Sequence, residues 1–274
     1  MITAWLDLPT FGIFLTLGLL YVGSALAIWT IIFHTRLGIR IRSLKGLVAP
    51  FFSSVAILFG LLTGFLANDV GDRNRQAVRA VQAEAGELHN VYALSVASAS
   101  DMKAIRIALK AYAASAVNDE WPAVIRGGLS SPLTEAAYDE LLQMVSDPGI
   151  TRDASGPVHV ALLSAAVRAG TARTDRLSLA ADRTNDLKWI SVLILGLITQ
   201  IGLALVHLEQ RRAMLTALTV FASGAIVALG LIALQEHPFD GAFRVSPAPI
   251  ARLQTLSDVV LPREPNAVVP GAAK

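Results

Sequence analysis

The sequence predicts an all-α integral membrane protein with four transmembrane helices and a helical insert between the second and third of them. Four long apolar segments carry the prediction, at about residues 11–33, 47–67, 189–206 and 213–234. Each segment has close to the ~20 residues that an α-helix needs to cross ~30 Å of hydrocarbon. Helices that are apolar on every side must lie in lipid or in a large core, so these segments place the chain in a membrane.

The overall composition agrees with a membrane protein and excludes several kinds of site. Hydrophobic residues make up 54% of the chain and charged residues 16%, whereas soluble domains are about a quarter charged. The cationic residues cluster beside the apolar segments instead of covering one face of a folded domain, so we expect no nucleic-acid partner. The chain has no cysteine, which rules out disulfides, thiolate metal sites and a cysteine nucleophile.

Short loops beside the apolar segments predict the orientation of the chain. The loop 34–46 contains four Lys or Arg residues and no acidic residue, and the loop 207–212 contains two arginines and one glutamate. Short loops rich in Lys and Arg stay in the cytoplasm, and both loops lie on the same side of a four-span protein. We therefore predict a multi-pass protein of the bacterial inner membrane, with the insert and both termini outside the cytoplasm.

The apolar segments also divide the chain. We expect four parts, which are the transmembrane pair 1–67, the extramembrane helical bundle 68–187, the second transmembrane pair 188–236 and the tail 237–274. No Lys or Arg precedes the first span, which therefore differs from a cleaved signal peptide. The tail is expected to hold a turn motif, a short helix over 249–258 and a disordered end.

Local signals in the insert predict where its helices begin and end. Ser131 as N-cap and Pro132 at the first helical position predict a helix that ends at Val145. The segment 68–72, Asn-Asp-Val-Gly-Asp, predicts a break after the second span. Residues 158–189 contain no strong helix breaker except one glycine, so the last insert helix is expected to run directly into the third span.

Three short patches, taken in order, resemble a known family. The first patch follows the second span and contains Glu84, Glu87 and Leu88, with Tyr92 one turn later. The second lies in the middle of the insert and is Glu120, Trp121 and Pro122. The third follows the last span and comprises His237, Pro238, Phe239, Asp240 and Gly241, with Val245 to Pro247 after them. Together with the two pairs of spans they resemble the bestrophin-like family of bacterial four-span membrane proteins, a domain of unknown function. The resemblance implies a four-span subunit related to bestrophins, which are pentameric anion channels, and hence a homo-oligomer with anions as partners.

The same patches have architectural interpretations. Trp121 is expected to be buried where Glu120 ends a helix, with Pro122 opening the next turn. Phe239 is expected to anchor a turn outside the fourth span, in which Gly241 takes a positive φ. Bestrophins hold their large helical part in the cytoplasm, which implies the opposite orientation from the arginine-rich loops. Our predicted orientation rests on the loops.

The second span carries two stripes of large apolar residues. The first stripe lies on one helical face and is our set of pore candidates, Phe52, Val55, Phe59 and Leu62, continued by Leu66. The second stripe repeats every seven residues on another face, at Phe51, Leu58 and Phe65. If several copies surround an axis, such a stripe makes a hydrophobic constriction that gates by dewetting. The alternative is an aromatic-rich helix that faces lipid or neighbouring helices.

Small and polar residues within the spans predict where helices meet. Gly60 and Gly64 form a motif that lets two helices approach closely, either within one subunit, facing Gly18, Gly23 and Ser24 of the first span, or between subunits. Gln200 lies midway along the third span, where an unpaired amide is costly. It must either bond another helix or line a wet path, and we include it among the pore candidates.

The sequence contains no convincing catalytic, metal or cofactor motif. Glu84, Glu87 and His89 are close together, but the histidine does not follow a glutamate at the three-residue spacing of di-iron helices. A Ser/His/Asp set, a phosphate-binding glycine loop and zinc spacing are all lacking. We therefore expect no enzyme and no cofactor.

The leading hypothesis is an oligomeric inner-membrane pore, specifically an anion channel of bestrophin-like type. The alternative is a membrane-anchored sensor or scaffold whose extracytoplasmic bundle binds a ligand or partner protein.

Overall fold

The computed structural model describes residues 2–43, 49–98, 101–128, 130–149, 156–182, 184–241 and 243–257, and side chains from residue 52 onwards in the second of these ranges. All regular secondary structure in this part of the chain is helical. Four stretches are helical, long and apolar enough to cross a membrane, namely Thr10–His34, Phe52–Ala97, Gly156–Val206, which comprises two consecutive helices, and Arg211–Ala233. The predicted all-α class with four spans is confirmed.

The helices follow one another in the order that the apolar segments and the insert predict. They are α1 (Ile2–Leu6), α2 (Thr10–His34), α3 (Arg36–Arg42), α4 (Ala49–Ala97), α5 (Lys103–Ser115), a π-helical turn (Ala116–Glu120), α6 (Trp121–Ile125), α7 (Pro132–Val145), α8 (Gly156–Ala181), α9 (Asp186–Val206), α10 (Arg211–Ala233), α11 (Ala248–Ala251) and a 3₁₀ turn (Arg252–Thr255). The predicted bounds of α7 are confirmed, and Ser131 lies at its N-cap position, although its side chain caps no backbone N–H.

The chain folds into two compact units. The membrane unit comprises Met1–Arg79 and Arg176–Ser246, and the insert unit comprises Ala80–Asp175 and Pro247–Lys274. The expected short helix over 249–258 corresponds to α11 and the 3₁₀ turn in the insert unit. Its last residue and the expected disordered end lie outside the described residues.

The membrane unit is held together by packing among α2, α9 and α10. Tyr21 of α2 is fully buried, and its ring lies 6.4 Å edge-on from that of Phe221 on α10. A Cβ on Gly196 of α9 would overlap the Tyr21 hydroxyl. Glycine at this position therefore lets α9 approach the tyrosine ring closely.

The insert unit has its own core of helices. Helix α5 packs against α7, and the rings of Tyr112 and Tyr138 lie 5.6 Å apart between them. The Tyr138 hydroxyl donates to the Ala166 carbonyl of α8 at 3.1 Å. Gly170 leaves the space that this hydroxyl fills, because a Cβ there would overlap it.

The predicted break at residues 68–72 is wrong. Helix α4 runs without interruption from Ala49 to Ala97. Asn68 donates from its side chain to Asp72 at 3.0 Å, and Asn74 donates to the Val70 carbonyl at 3.1 Å. These residues weaken helices when their side chains compete for the neighbouring backbone. Here their side chains bond along the helix one turn away, so the helix continues.

The predicted continuous helix from the insert into the third span is also wrong. Helix α8 ends at Ala181 and α9 begins at Asp186. Asn185 is the N-cap of α9, and its side-chain oxygen accepts from the Leu187 N–H at 2.9 Å. Asparagine at the N-cap with an acidic residue in the first turn is a strong helix start. This local signal starts a new helix and so separates α8 from α9, although no glycine or proline is present there.

Candidate pore-facing helix and polar clusters

The first apolar stripe of α4 faces other helices of its own unit. Phe59 and Leu62 are half-buried against the membrane unit's core, and Leu66 is fully buried there. The rings of Phe59 and Phe221 lie 5.4 Å apart. Phe52 packs on a second core cluster that contains Met214. The packing alternative therefore has direct support at these positions.

The opposite face of α4 is uncovered within one chain. Ile57, Leu58, Leu61 and Phe65 are each at least half exposed, at 68%, 51%, 50% and 59%. We call these residues, with Gly60 and Gly64 between them, the open face of α4. Of the first stripe, Val55 is half-buried. The side chain of Phe51 lies outside the described part.

In the part of the chain that the structure describes, the two glycines of α4 do not pack against another helix. Among the described residues, no atom outside the glycine's own stretch of helix lies within 4 Å of the position that a Cβ would take on Gly60 or Gly64, and the same holds for Gly18 and Gly23 of α2. Contact between these glycines within one subunit therefore has no support among the described residues. The remaining alternative, contact between subunits, stays a prediction.

Gln200 forms an interhelical hydrogen bond, which is the first of the two alternatives for this residue. Its side chain is fully buried and donates to the Tyr21 carbonyl of α2 at 2.9 Å. Ser24 of α2 donates to the amide oxygen at 2.5 Å. Both ends of the amide are satisfied, so Gln200 joins α9 to α2 and its cost of burial is offset.

The glutamates of the first family patch form bonds between helices of the insert unit. Glu84 is fully buried and accepts from the Tyr112 hydroxyl at 2.6 Å. Glu87 receives two hydrogen bonds from the Arg168 guanidinium of α8, at 2.8 and 3.0 Å. These bonds hold the pKa of the Glu87 carboxyl below its usual value. Both residues therefore join helices instead of forming a solvated face.

The second patch does not end a helix as expected. The Trp121 N–H donates to the Ala116 carbonyl five residues earlier, so the chain passes through a π-helical turn and continues as α6. Pro122 has no N–H to leave unpaired at this point. Trp121 is buried as predicted, with 5% of its surface exposed. Glu120 is fully buried against Arg173, whose Nε lies 3.0 Å from the carboxylate.

The third patch forms the predicted turn after α10. Gly241 has a φ of +86°, and its N–H donates to the Asp240 side chain at 2.7 Å. Phe239 is 4% exposed. The Pro238 carbonyl accepts from the Val245 N–H at 2.7 Å, which closes the turn. Glycine is required where a turn takes a positive φ, so the motif has a clear structural role.

A buried carboxylate that the sequence analysis did not single out lies just before this turn. Glu236 is 1% exposed and accepts hydrogen bonds from Arg73 and from the Thr184 N–H, both at 2.8 Å, and from the Trp189 indole at 3.3 Å. Arg73 also donates to the Asp182 carbonyl at 3.1 Å. One carboxylate therefore joins α4, the segment between α8 and α9, and the end of α10.

A polar cavity of about 350 Å³ lies beside this cluster in the membrane unit. Its charges are of both signs, and Lys188 forms an ion pair with Asp69 across it. The cavity is lined by Asp69, Asp72, Arg73, Gln76, Leu179, Asp182, Thr184, Asn185 and Lys188. No group of histidines and acidic residues in the described part of the chain could hold a metal ion.

The spans, the interhelical polar bonds and the turn after α10 define a multi-span, α-helical membrane protein. The model of the Bestrophin-like domain matches residues 19–250. This match covers most of the chain and includes all three patches. The chain belongs to the bestrophin-like family, as the resemblance of its patches indicated.

Solved structures show the same fold. A bacterial bestrophin homologue from Klebsiella pneumoniae superimposes with a TM-score of 0.65 at 14% identity, covering 88% of this chain and 96% of the other. A membrane protein carrying one substitution matches with a TM-score of 0.62 at 14% identity, over 88% and 94% of the two chains. A single-residue variant of the Klebsiella homologue gives 0.61 at 16% identity, over 87% and 94%. No curated protein matches this chain significantly.

Proposed function

We propose that this protein is a non-enzymatic, homo-oligomeric pore of the bacterial inner membrane that conducts anions. The observation that carries the proposal is the open face of α4, which is apolar and uncovered in the single chain. Membership of the bestrophin-like family and a fold shared with a bacterial bestrophin homologue support it. The open face would turn towards neighbouring copies, so that α4 helices surround an axis.

Glycines make the open face suited to a second helix. Lipid tails can cover apolar side chains without any partner, so exposure of Leu58 or Phe65 alone would indicate only a lipid contact. Association of helices in lipid depends on close packing, and small residues four apart allow it. Gly60 and Gly64 provide such a groove with open space above both Cα atoms.

Substitution of Gly60 tests the assembly. Gly60→Leu fills empty space in the single chain, so we expect the variant to fold but to lose a ring-sized assembly. Light scattering in mild detergent, corrected for the micelle, measures the mass. Gly224→Leu is the matched control, because Gly224 is also exposed with nothing within 4 Å of its Cβ position. A wild-type monomer or dimer would contradict the proposal and favour the sensor or scaffold alternative.

Conduction is measured on the same preparations, as chloride flux into liposomes. Leu58→Ala and Phe65→Ala should change the flux without unfolding the single chain, since within one chain their side chains are exposed. Phe52→Ala and Phe59→Ala should lower stability as well, because both rings pack on core clusters. The pore candidates Phe52, Val55, Phe59 and Leu62 are half-buried in the single chain, so only the exposed part of each side chain could line the channel. Absence of flux from a stable ring would refute conduction but not assembly.

We also propose that the insert and both termini lie outside the cytoplasm, and the support is the charge of the two short loops. The absence of cysteine makes a direct test possible. Ser130→Cys, in the insert, should react with a membrane-impermeant maleimide on intact spheroplasts. Ser43→Cys, after α3, should react only once the membrane is permeabilised. The reverse pattern would establish a cytoplasmic insert.

A further inference from the structure

A short helix packs against the end of the first span and is fixed there by the backbone. Thr35 is extended between α2 and α3, and its hydroxyl accepts from the Gly38 N–H at 3.4 Å. A Cβ on Gly38 would overlap the Ile32 carbonyl of α2, so only glycine permits this approach. Helix α3 therefore has a defined position beside the last turn of α2.

The two sides of α3 differ in a way that suits a lipid headgroup region. Gly38 is buried on the side towards α2. The opposite side presents Arg36 and Arg40, and it is flanked by Leu37 and Ile39, which are 61% and 65% exposed. A basic face with exposed apolar side chains at its edges is typical of helices that lie in the membrane interface.

A second group of cations is held in place by aromatic rings. The Arg211 guanidinium at the start of α10 lies 4.9 Å from the centre of the Trp29 ring and 5.4 Å from that of Phe33. It also lies 2.8 Å from His34 Nε2, and an arginine can only donate. Arg42 approaches the same Phe33 ring at 5.9 Å and donates to the Gly38 carbonyl at 3.3 Å.

The partners of these arginines leave their charge uncompensated. None of Arg36, Arg40, Arg42, Arg211 and Arg212 forms an ion pair within the described residues. Aromatic rings, an imidazole nitrogen and a carbonyl orient a guanidinium without cancelling its charge. The segments 34–43 and 207–212 contain one acidic residue, Glu209, against these five arginines.

We propose that the arginine surface binds the headgroups of anionic phospholipids such as phosphatidylglycerol. The name covers two groups, which are Arg36 and Arg40 on the outer side of α3, and Arg42 and Arg211 at the aromatic rings with the adjacent Arg212. Planar guanidinium groups match phosphate oxygens in charge and in geometry. Basic residues beside a span bind anionic lipid headgroups by the same attraction. The exposed Leu37 and Ile39 select a lipid over free phosphate, since they require an apolar environment. The inference is independent of the pore proposal.

Lipid binding to the purified full-length protein tests the inference by native mass spectrometry and by the shift of the melting temperature. Phosphatidylglycerol should bind and raise the melting temperature, whereas phosphatidylcholine and soluble glycerol phosphate should not. Removing one arginine should weaken phosphatidylglycerol binding about 5-fold. Two double variants divide the surface. Arg42→Gln with Arg211→Gln removes the two arginines that contact aromatic rings, and Arg36→Gln with Arg40→Gln removes the two exposed arginines of α3.

The control variant is Arg244→Gln, an exposed arginine after α10 and outside the surface, which should bind lipid as the wild type does. Because Arg36 and Arg40 are exposed, their double variant remains informative if the Arg42 and Arg211 variant fails to fold. Equal binding of phosphatidylglycerol and phosphatidylcholine, or unchanged binding by the Arg36 and Arg40 double variant, would overturn the proposal. A response to glycerol phosphate equal to that of the lipid would show a free-phosphate site instead.

Discussion

Glu236→Ala is expected to lower the free energy of unfolding of the membrane unit by about 3–5 kcal/mol, which is the usual cost of breaking a buried ion pair. The carboxylate is 1% exposed and accepts three hydrogen bonds, from Arg73, the Thr184 N–H and the Trp189 indole. Its loss leaves the Arg73 guanidinium buried without its counter-charge. Thermal unfolding in detergent measures the effect.

Three variants separate the charge of Glu236 from its packing. Glu236→Gln keeps one acceptor oxygen, which can still accept from the Thr184 N–H, and should cost less than alanine. Removing both charges, as Arg73→Met with Glu236→Leu, should recover much of the loss, because the penalty comes from an unpaired buried charge. Asp72→Ala breaks an exposed pair with Arg75 on the same helix and should cost about 0–1 kcal/mol. Equal losses for Asp72→Ala and Glu236→Ala would contradict the argument.

Features set by local chemistry could be predicted from the sequence. The apolar segments predict the four spans, Ser131 and Pro132 predict the start of α7, and Gly241 predicts a positive φ. Each of these depends on residues within one or two turns of the chain. The start of α9 carries a local signal too, the N-cap Asn185, which glycine and proline breakers alone do not reveal.

Features set by distant residues could not be predicted. Arg73 and Glu236 are separated by 163 residues, and Arg173 and Glu120 by 53. No periodicity relates such partners, so sequence identified Glu120 only through a family patch and did not identify Glu236 at all. Burial then determines how much such an ion pair contributes to stability, since an exposed pair contributes little.

The helical pattern of α4 shows a related limit. Periodicity identifies two stripes and assigns residues to each, but both are equally apolar in sequence. Only the packing of Phe59 against Phe221 shows which stripe is covered by the chain itself. The open face of α4, which contains Leu58 and Phe65 of the second stripe and both glycines, then becomes the better candidate for contact between copies.

Glu120→Ala is expected to destabilise the insert unit by about 3–5 kcal/mol, because it breaks a buried ion pair by removing the carboxylate that Arg173 binds. The side chains of Glu120 and Arg173 are 0% and 10% exposed. Amide hydrogen exchange measures the loss as faster exchange in α5 and α7.

The pair formed by Glu87 and Arg168 provides a matched control for Glu120→Ala. It also joins helices of the insert unit, but its side chains are 23% and 55% exposed, so Glu87→Ala should cost only about 0–1 kcal/mol. Glu120→Leu with Arg173→Met should restore slow exchange, since both buried charges of the pair are then removed together. If Glu87→Ala and Glu120→Ala accelerate exchange equally, burial does not determine the contribution of these pairs. A larger effect of Glu120→Ala would show that the glutamate of the second family patch stabilises the insert unit. It does so through its ion pair with Arg173, which is formed at the last residue of the π-helical turn.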